Sequence, residues 1–404
     1  MSARVSLSAD AAPRQPLSFL ASYALAWSGG SIAYTPFLTL LLPIRFSELA
    51  GHDDVHWLAL CATVGAIAAS LANIFWGWAS DRWPSGTRRR RLRWSAAGLI
   101  ATVLGVWMIV RATSPVDMVV AVACWQLALN LMLAPLSAYA ADSIGDPQKG
   151  TLGGMLAFAP AFAALSLIGV AMVPTNLGAE LGLIMLIVTI FMIPLFVRRG
   201  APALGMTDRP ARSSDRALPD HRTLMLLWLA RLFVQVAEGL LFLFIFYFLR
   251  DISAGRLTLG TFAWTNAGVQ LAAIPVALWV GRQSDRRGQR KLPLVGMLGL
   301  ITLGLAGMAL SDKWAGVVGC YAIFLMGSNA FLALHSTFTM QQLPDPRRFG
   351  RDLGLFNLTN TLPSLTSPML AALFIGRYGY HGLLGVLALV MLIPSAILWQ
   401  LKLR

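Results

Sequence analysis

Gly77-Trp78-Ala79-Ser80-Asp81-Arg82 is followed shortly by the basic run Arg88-Arg89-Arg90-Arg91. It ends one long apolar segment and precedes another, so a cationic loop lies between two segments of membrane-spanning length. A second copy, Gly281-Arg282-Gln283-Ser284-Asp285-Arg286, with Arg290-Lys291 after it, occurs 204 residues later. Two glycines placed alike before Ser-Asp-Arg, each at the end of an apolar segment, predict a duplicated membrane protein.

Composition indicates the same class. The 404-residue chain is 57% hydrophobic and 12% charged, which leaves too little polar surface to cover a soluble protein of this size. In a soluble protein the net charge of +14 would suggest a nucleic-acid partner, but here Lys and Arg are concentrated in short loops between apolar segments. That distribution is typical of membrane topology. We therefore expect the lipid bilayer as a partner and no nucleic acid.

Cysteine usage indicates neither a disulfide framework nor a metal site. Cys61, Cys124 and Cys320 all fall inside apolar segments, with no histidine at metal-ligand spacing. We expect no metal and no cofactor. Residues 1–16 are polar and the apolar segment after them is long, which predicts a retained first span rather than a cleaved signal peptide.

Twelve apolar segments follow along the chain, each of about 20 residues or more, enough to cross a ~30 Å hydrocarbon core. They cover residues 17–43, 56–80, 92–111, 116–141, 151–173, 178–197, 222–249, 258–281, 292–310, 314–341, 353–375 and 381–401. The sequence predicts an all-α membrane protein with twelve transmembrane helices in two pseudo-symmetric six-helix bundles. The bundles are residues 1–197 and 223–404, and the segment 198–222, rich in Arg, Pro, Asp and Ser, is predicted to be a flexible cytoplasmic linker.

Positive charge gives the expected orientation. An even number of spans places both termini on one side of the membrane. With that side in the cytoplasm, 25 of the 32 Lys and Arg residues fall in cytoplasmic loops and tails, and six fall outside. Because basic residues favour the cytoplasmic side, we expect a multi-pass protein of a cell membrane, a bacterial inner membrane, with both termini cytoplasmic.

The duplication extends beyond the first motif, and with it the chain resembles a known family. Asp146-Pro147-Gln148-Lys149 after the fourth span corresponds to Asp345-Pro346-Arg347-Arg348 after the tenth. Twelve spans in two halves, a central linker and a doubled Gly-x-x-x-Asp-Arg motif with basic residues are similar to the major facilitator superfamily of secondary transporters. The resemblance implies alternating access to a central site, no enzymatic activity, and a monomer. One departure is that Trp83-Pro84-Ser85-Gly86-Thr87 separates the first motif from its arginines.

The doubled motif itself predicts a contact between helices. A glycine lets another helix approach closely, and an aspartate at a span end can accept hydrogen bonds from a helix N-terminus or pair with an arginine. The resemblance implies that this cluster is a cytoplasmic latch between the halves. The predicted latch residues are Gly77, Asp81, Arg82, Gly281, Asp285 and Arg286. The alternative is that Arg82 and Arg286 only enforce topology, although topology alone needs no aspartate.

Charged side chains inside the seventh span are the main candidates for function. Arg231, Gln235 and Glu238 follow one another at i, i+4 and i+7, on one helical face. An uncompensated charge at mid-membrane is unfavourable by several kcal/mol, so Glu238 should face a cavity or the protein interior. We expect Glu238 to carry a proton, with His335 as a second protonatable site. Arg231 either faces an anionic group of the substrate or reaches toward the cytoplasmic surface.

Other polar and aromatic residues fall in the segments that line the cavity in the resembled family and in two further spans. Amides and aromatic rings suit a hydroxylated or amide-bearing solute, although each one could equally bond two helices together. With Arg231 and Gln235, the candidate substrate-binding residues are Trp27, Ser31, Tyr34, Trp125, Gln126, Asn130, Asn266, Gln270, Asn329, Asn357 and Asn360.

These observations are compatible with three functions of different kinds. The preferred one is uptake of a small, sugar-like or otherwise hydroxylated or amide-bearing solute by symport with H⁺ or Na⁺, H⁺ being favoured. The alternative is proton-coupled efflux of amphipathic compounds. It is disfavoured because Gly153-Gly154-Met155-Leu156-Ala157-Phe158-Ala159-Pro160 in the fifth span lacks the Gly-Pro pair typical of drug antiporters in the resembled family. A membrane enzyme or receptor is disfavoured because the sequence contains no HExxH, GxSxG or Walker-type motif.

Overall fold

The computed structural model describes residues 14–50, 53–82, 88–173, 176–198, 221–343 and 348–401. Within these ranges, every regular element is a helix. Most of the predicted linker, 199–220, lies outside the described residues, and so does 345–347 in the second Asp-Pro sequence. The all-α membrane fold predicted from the sequence is confirmed.

The helices of the N-terminal half are listed here in chain order. They are α1 (Leu17–Pro36), a π-helical turn (Phe37–Leu41), α2 (Leu42–Ala50), α3 (Asp54–Arg82), α4 (Arg88–Arg111), α5 (Pro115–Ser143), a 3₁₀ turn (Asp146–Gln148), α6 (Lys149–Leu156), α7 (Phe158–Ala171) and α8 (Leu177–Val197). The C-terminal half contains α9 (His221–Ile252), α10 (Leu259–Arg287), α11 (Lys291–Leu310), α12 (Trp314–Gln342), α13 (Phe349–Val390) and α14 (Leu392–Gln400).

The apolar segments predict these helices closely. In the described residues, 11 helical segments are long and apolar enough to cross a membrane. The remaining predicted span, 353–375, forms the first part of α13. Gly379 separates it from the last span, because its φ of 66° and ψ of −175° interrupt the helix within α13. That positive φ lies in the region that glycine adopts without a steric penalty.

Local sequence explains where two of the helices begin or break. Ser114 and Asp117 form a capping box at the start of α5, each side chain accepting the other's backbone N–H, and Pro115 occupies the first helical position. The predicted fifth span divides at Ala157 into α6 and α7. Pro160 accounts for this division, since it has no N–H to donate to the carbonyl four residues earlier.

Two apolar clusters form the interior, one for each half of the chain. The first is built mainly from α1 to α8 and contains Phe37, Trp125 and Met132. The second is built mainly from α9 to α14 and contains Phe248 and Phe324. Each half therefore buries its own apolar core, as expected of two helical bundles.

The halves meet along α3 and α13 and along α10 with α6 and α7. We call the face at which α3 and α10 end, with Asp81 and Asp285, the motif face. Contacts between the halves extend from the motif face to midspan, where the hydroxyls of Ser70 and Thr361 are 2.7 Å apart. The structure is thus closed at the motif face.

Candidate functional site

The first copy of the motif joins the end of α3 to the start of α13. Asp81 accepts hydrogen bonds from the backbone N–H groups of Gly350, at 2.9 Å, and Arg351, at 2.8 Å. The first turn of a helix presents unsatisfied N–H groups and a partial positive charge, so a carboxylate is stabilised there. A Cβ added to Gly77 would lie 2.3 Å from the carbonyl oxygen of Gly350. We call the contact of Gly77 and Asp81 with Gly350 and Arg351 the first junction.

The second copy joins the end of α10 to the start of α6 in the same way. Asp285 accepts from the backbone N–H groups of Gly150, at 2.8 Å, and Thr151, at 2.5 Å. It also accepts from the Thr151 hydroxyl at 2.7 Å. A Cβ added to Gly281 would lie 2.2 Å from the carbonyl oxygen of Gly150. We call the contact of Gly281 and Asp285 with Gly150 and Thr151 the second junction.

The arginines beside these aspartates come from the basic stretches after each motif. Arg91 is 3.0 Å from Asp81 and 2.6 Å from Asp142. Arg290 is 2.7 Å from Asp285, and it donates to the backbone carbonyl of Asp146 at 3.0 Å. Both aspartates are thus neutralised by arginines that lie several residues after the motif.

Arg82 and Arg286, which the sequence analysis assigned to the latch, lie outside both junctions. Both side chains are exposed, and the Arg82 guanidinium lies 4.2 Å from the centroid of the Trp78 ring. The sequence did not predict Arg91, Arg290, Gly150 or Thr151 as latch residues. The first two are among the basic residues that follow each motif.

Spacing on α9 divides the helix into two faces. Leu227, Ala230, Val234 and Ala237 are fully buried at intervals of three and four residues. Arg231, Gln235 and Glu238 lie on another face and are partly buried. The residue pattern therefore turns the three predicted functional side chains toward α12 and α13.

Arg231 is surrounded by neutral hydrogen-bond acceptors. Its Nε donates to the Thr359 hydroxyl at 3.0 Å, and Nη1 donates to the Ser336 hydroxyl at 2.8 Å and to the Leu332 carbonyl at 3.2 Å. Nη2 donates to Asn360 Oδ1 at 3.2 Å. No salt bridge to Arg231 occurs within the described ranges. Hydroxyls and carbonyls satisfy the guanidinium but leave its charge uncancelled.

A chain of amides continues from Arg231. Gln235 Nε2 donates to the same atom, Asn360 Oδ1, and Asn360 Nδ2 donates to Asn357 Oδ1 at 2.6 Å. Asn360 is exposed, whereas Arg231 and Gln235 are partly buried. Donors from two turns of α9 therefore converge on one acceptor that is open to solvent.

Glu238 lies about 10.5 Å beyond Arg231 along the helix at the usual rise per residue. Its carboxyl group faces the hydroxyl of Ser328, which is fully buried and has no hydrogen bond of ordinary geometry. Tyr34 from α1 and Tyr321 from α12 are the other titratable neighbours. Glu238 forms no salt bridge with any residue that the structure describes.

Several of the predicted substrate-binding amides bond neighbouring helices to each other. Asn73 Nδ2 donates to Asn130 Oδ1 at 2.9 Å, and the second Asn130 contact is the Gln126 carbonyl, also at 2.9 Å. In the other half the corresponding pairs connect α10 with α12: the Tyr321 hydroxyl donates to Asn266 at 2.8 Å, and Asn329 Nδ2 donates to Gln270 at 2.7 Å. These amides have protein partners in this conformation.

The aromatic candidates fall into two environments. Trp27, Ser31 and Tyr34 on α1 are partly buried, and Trp27 stacks on Tyr23 with ring centroids 6.5 Å apart. Trp125, in contrast, is 1% exposed, with the edge of its ring against Phe37 at 5.2 Å. Trp125 thus lies in the apolar core of the N-terminal half.

His335 is fully buried between α12 and α9. Its Nε2 lies 3.0 Å from the Leu227 carbonyl oxygen, and its Nδ1 lies 3.3 Å from the Thr339 hydroxyl. A carbonyl only accepts, so Nε2 carries the proton in that bond, and a neutral ring then accepts from Thr339 at Nδ1. Both ring nitrogens therefore have partners inside the protein.

Comparison with known proteins agrees with this arrangement. The family model of the Major Facilitator Superfamily matches residues 227–403. No curated protein is similar to the chain in sequence.

Among solved structures, the human organic anion transporter MFSD10 (TETRAN) superposes with a TM-score of 0.74 at 15% identity, covering 95% of this chain and 100% of that one. A bacterial homologue of the iron transporter ferroportin, in its outward-facing state, superposes with a TM-score of 0.68 at 17% identity, covering 95% of this chain and 98% of that one. The same homologue with soaked iron gives a TM-score of 0.71 at 15% identity, with the same coverage.

These structural matches show the fold over nearly the whole chain, and the family match lies in its C-terminal half. The duplicated motif lies at the contact between the two halves, and α9, which is long and apolar enough to cross a membrane, carries ionisable groups. The chain therefore has the fold of these solved membrane transporters, and its residues 227–403 are similar to the Major Facilitator Superfamily.

Proposed function

We propose that the protein is a proton-coupled symporter that imports a small organic solute bearing hydroxyl or amide groups. The observation that carries this proposal is the placement of Glu238 and Arg231 on one face of α9. Glu238 interacts electrostatically with Arg231, it is partly buried, and no basic side chain in the described residues forms a salt bridge with it. A carboxyl in that position can exchange a proton with the solvent that reaches the site.

The solute contacts proposed here are candidate side chains that are not fully buried. On α9 and α13 these are Gln235, Asn357 and Asn360, and on α1 they are Trp27, Ser31 and Tyr34. Aromatic faces cover the apolar surface of a polyol while amides bond its hydroxyls. Asn130, Asn266, Gln270 and Asn329 become available to the solute if their interhelical bonds open during transport.

The two junctions serve as the latch that holds the motif face closed while the site is open from the other side. We place the motif face and both termini in the cytoplasm of a bacterial cell, with the protein acting as a monomer. The excess of Lys and Arg in the loops on that side supports the orientation. Among the two proton-coupling residues predicted from the sequence, Glu238 is preferred over His335, whose ring nitrogens are both occupied.

The test uses purified protein in liposomes with a trapped pH-sensitive dye and an imposed pH or Na⁺ gradient. Probes are carbon-matched pairs: gluconate and sorbitol, lactate and propane-1,2-diol, benzoate and benzyl alcohol. Uptake of a probe with proton influx supports symport. Uptake coupled to Na⁺ alone favours Na⁺ symport instead. Extrusion of the amphipathic cation ethidium, driven by a proton gradient, favours the efflux alternative.

Glu238→Gln sharpens this test. We expect the variant to lose accumulation driven by the pH gradient and to keep exchange of the probe across the membrane, because binding no longer requires a proton to move. Glu180→Gln, which makes the same chemical change in the first turn of α8, is the matched control and should transport normally. Full gradient-driven accumulation by Glu238→Gln would remove Glu238 from the coupling role.

A further inference from the structure

Arg231 is a charged group whose described partners are all neutral. Thr359, Ser336, Leu332 and Asn360 supply hydroxyl, carbonyl and amide oxygens. Such acceptors solvate the guanidinium, but they leave its positive charge free to attract an anion. The carboxylate on the same helix, Glu238, is two turns away and does not pair with Arg231 directly.

The position of Asn360 shows where an anion would bind. Its Oδ1 accepts hydrogen bonds from both Arg231 Nη2 and Gln235 Nε2, and the residue is exposed. Two donors, one of them charged, thus converge on a single neutral oxygen that borders solvent. A carboxylate oxygen in the same place would accept both bonds and would add the charge complementarity that an amide lacks.

The net charge of the side chains around Arg231 and Glu238 depends on the protonation of Glu238. Tyr34 and Tyr321 adjoin Glu238, His335 is near Arg231, and Glu238 and Arg231 interact with each other. Neutral tyrosines and a neutral His335 leave Glu238 as the group that changes the total. The site carries no net charge when Glu238 is ionised and one positive charge when it is protonated.

We infer that the solute is a small organic monoanion, a carboxylate, which binds between Arg231 and Gln235 once Glu238 has taken up a proton. The inference rests on the proposed proton coupling and adds the class of solute. Two unit charges about 10 Å apart, at an effective dielectric constant near 20, interact strongly enough to change affinity by roughly tenfold. Protonation of Glu238 therefore strengthens anion binding by about that factor, and loss of the proton releases the anion.

This arrangement makes transport electroneutral. The proton binds a carboxyl oxygen of Glu238 and brings one positive charge, the solute brings one negative charge to Arg231, and both leave together on the other side. A neutral solute carried with a proton would move one positive charge per cycle. The two cases differ in their response to membrane potential.

The binding test compares each carboxylate with its neutral partner by thermal stabilisation of the detergent-purified protein at pH 5.5 and pH 8. At pH 5.5 we expect gluconate, lactate or benzoate to bind at least about tenfold more tightly than the corresponding alcohol. At pH 8 we expect this ratio of the two affinities to fall by about tenfold. Arg231→Gln should remove the preference for the carboxylate over its alcohol. Arg231→Lys should restore part of that preference, because it keeps the positive charge, and this outcome distinguishes loss of charge from misfolding. Glu238→Gln should keep carboxylate binding at both pH values.

Transport then separates this inference from the proposed function. Uptake of a carboxylate with protons, unchanged by a K⁺ and valinomycin potential, supports both. Proton-coupled uptake of sorbitol or propane-1,2-diol with an inward current keeps the proposed function and overturns the anion inference. The inference also fails if no carboxylate of the panel binds, or if Arg231→Gln and Arg231→Lys both retain the full preference.

Discussion

The two junctions at the motif face share one plan but differ in what they connect. In each, an aspartate at a helix end accepts two backbone N–H groups from the start of a helix in the other half, and a pair of glycines lets the backbones touch. The second junction adds the Thr151 hydroxyl, whereas the side chain of Arg351 at the equivalent position bonds to its neighbour Asp352.

The arginines differ more than the aspartates do. Arg91 bonds to Ser80, Asp81 and Asp142, all in its own half. Arg290 bonds to Ser284 and Asp285 in its own half, and also to the Asp146 carbonyl in the other. The Gln341 side chain reaches that same carbonyl at 3.1 Å.

Duplication therefore explains the common contact, while later divergence explains the difference. At the first junction, Arg91 connects residues within the N-terminal half. The second junction uses its arginine, a threonine and a glutamine to connect the halves. We expect the second junction to contribute more to closure of the motif face.

The largest effect should come from filling the glycine contacts, and it should be similar at the two junctions. In Gly77→Ala and Gly281→Ala the new Cβ would lie within 2.3 Å and 2.2 Å of a backbone carbonyl oxygen across the interface. Backbone atoms are poorly placed to yield, and overpacking of this kind costs about 1–3 kcal/mol. Spin-label distances across the motif face should show a shift toward open forms of about tenfold in each variant.

Gly296→Ala is the matched control, since nothing lies within 4 Å of its added Cβ. It should leave the distances unchanged. If only one of the two junction variants opens the motif face, then the common contact is less symmetric than the geometry indicates.

Loss of the aspartate charge should have the next largest effect, and here the junctions should separate. Asp285→Asn weakens three bonds across the halves, and Asp81→Asn weakens two. A hydrogen bond to a charged group contributes about 1.5–3 kcal/mol. We expect both variants to favour opening, with the Asp285→Asn shift several-fold larger when measured by cysteine accessibility on the two faces. Equal shifts would remove the distinction between the junctions.

Sequence alone predicted the glycine and aspartate of each junction because they recur in one local pattern. Their partners were harder to predict. Gly150 and Gly350 lie in the first turns of α6 and α13, and only the packing of distant segments reveals that they meet Gly281 and Gly77. The motif places Arg82 next to Asp81 in sequence, whereas the contact with Asp81 is made by Arg91 on the next helix.

At the central site, too, the sequence predicted some features and only the structure shows the others. Helical spacing placed Arg231, Gln235 and Glu238 on one face without knowledge of the fold. It did not distinguish Trp125, which is packed in the core, from Trp27, which is partly buried. Both are aromatic residues in apolar segments, and the difference depends on which helices surround them.

The arginines offer a smaller and more specific test. Arg290→Gln removes a bond across the halves, so the motif face should open by a few-fold. Arg91→Gln removes the arginine that pairs with Asp81 and Asp142 inside one half. It should lower the thermal stability by several degrees and shift the conformation less.

Arg286→Gln and Arg82→Gln are the controls, because both side chains are exposed. Neither should change the melting temperature or the spin-label distances appreciably. A conformational shift in Arg91→Gln as large as that in Arg290→Gln would show that the first arginine also acts between the halves.

The smallest effect should come from Thr151→Val, which removes the hydroxyl that distinguishes the second junction. Valine keeps the shape of the side chain and the backbone N–H bond to Asp285, so the loss is one hydrogen bond, about 1 kcal/mol. The motif face should open by no more than about fivefold, bringing the second junction closer to the first. Thr302→Val is the control, since that hydroxyl bonds only within α11, to the Leu298 carbonyl. An unchanged distance distribution in Thr151→Val would assign the greater strength of the second junction to Arg290 and Gln341, because the threonine is then dispensable.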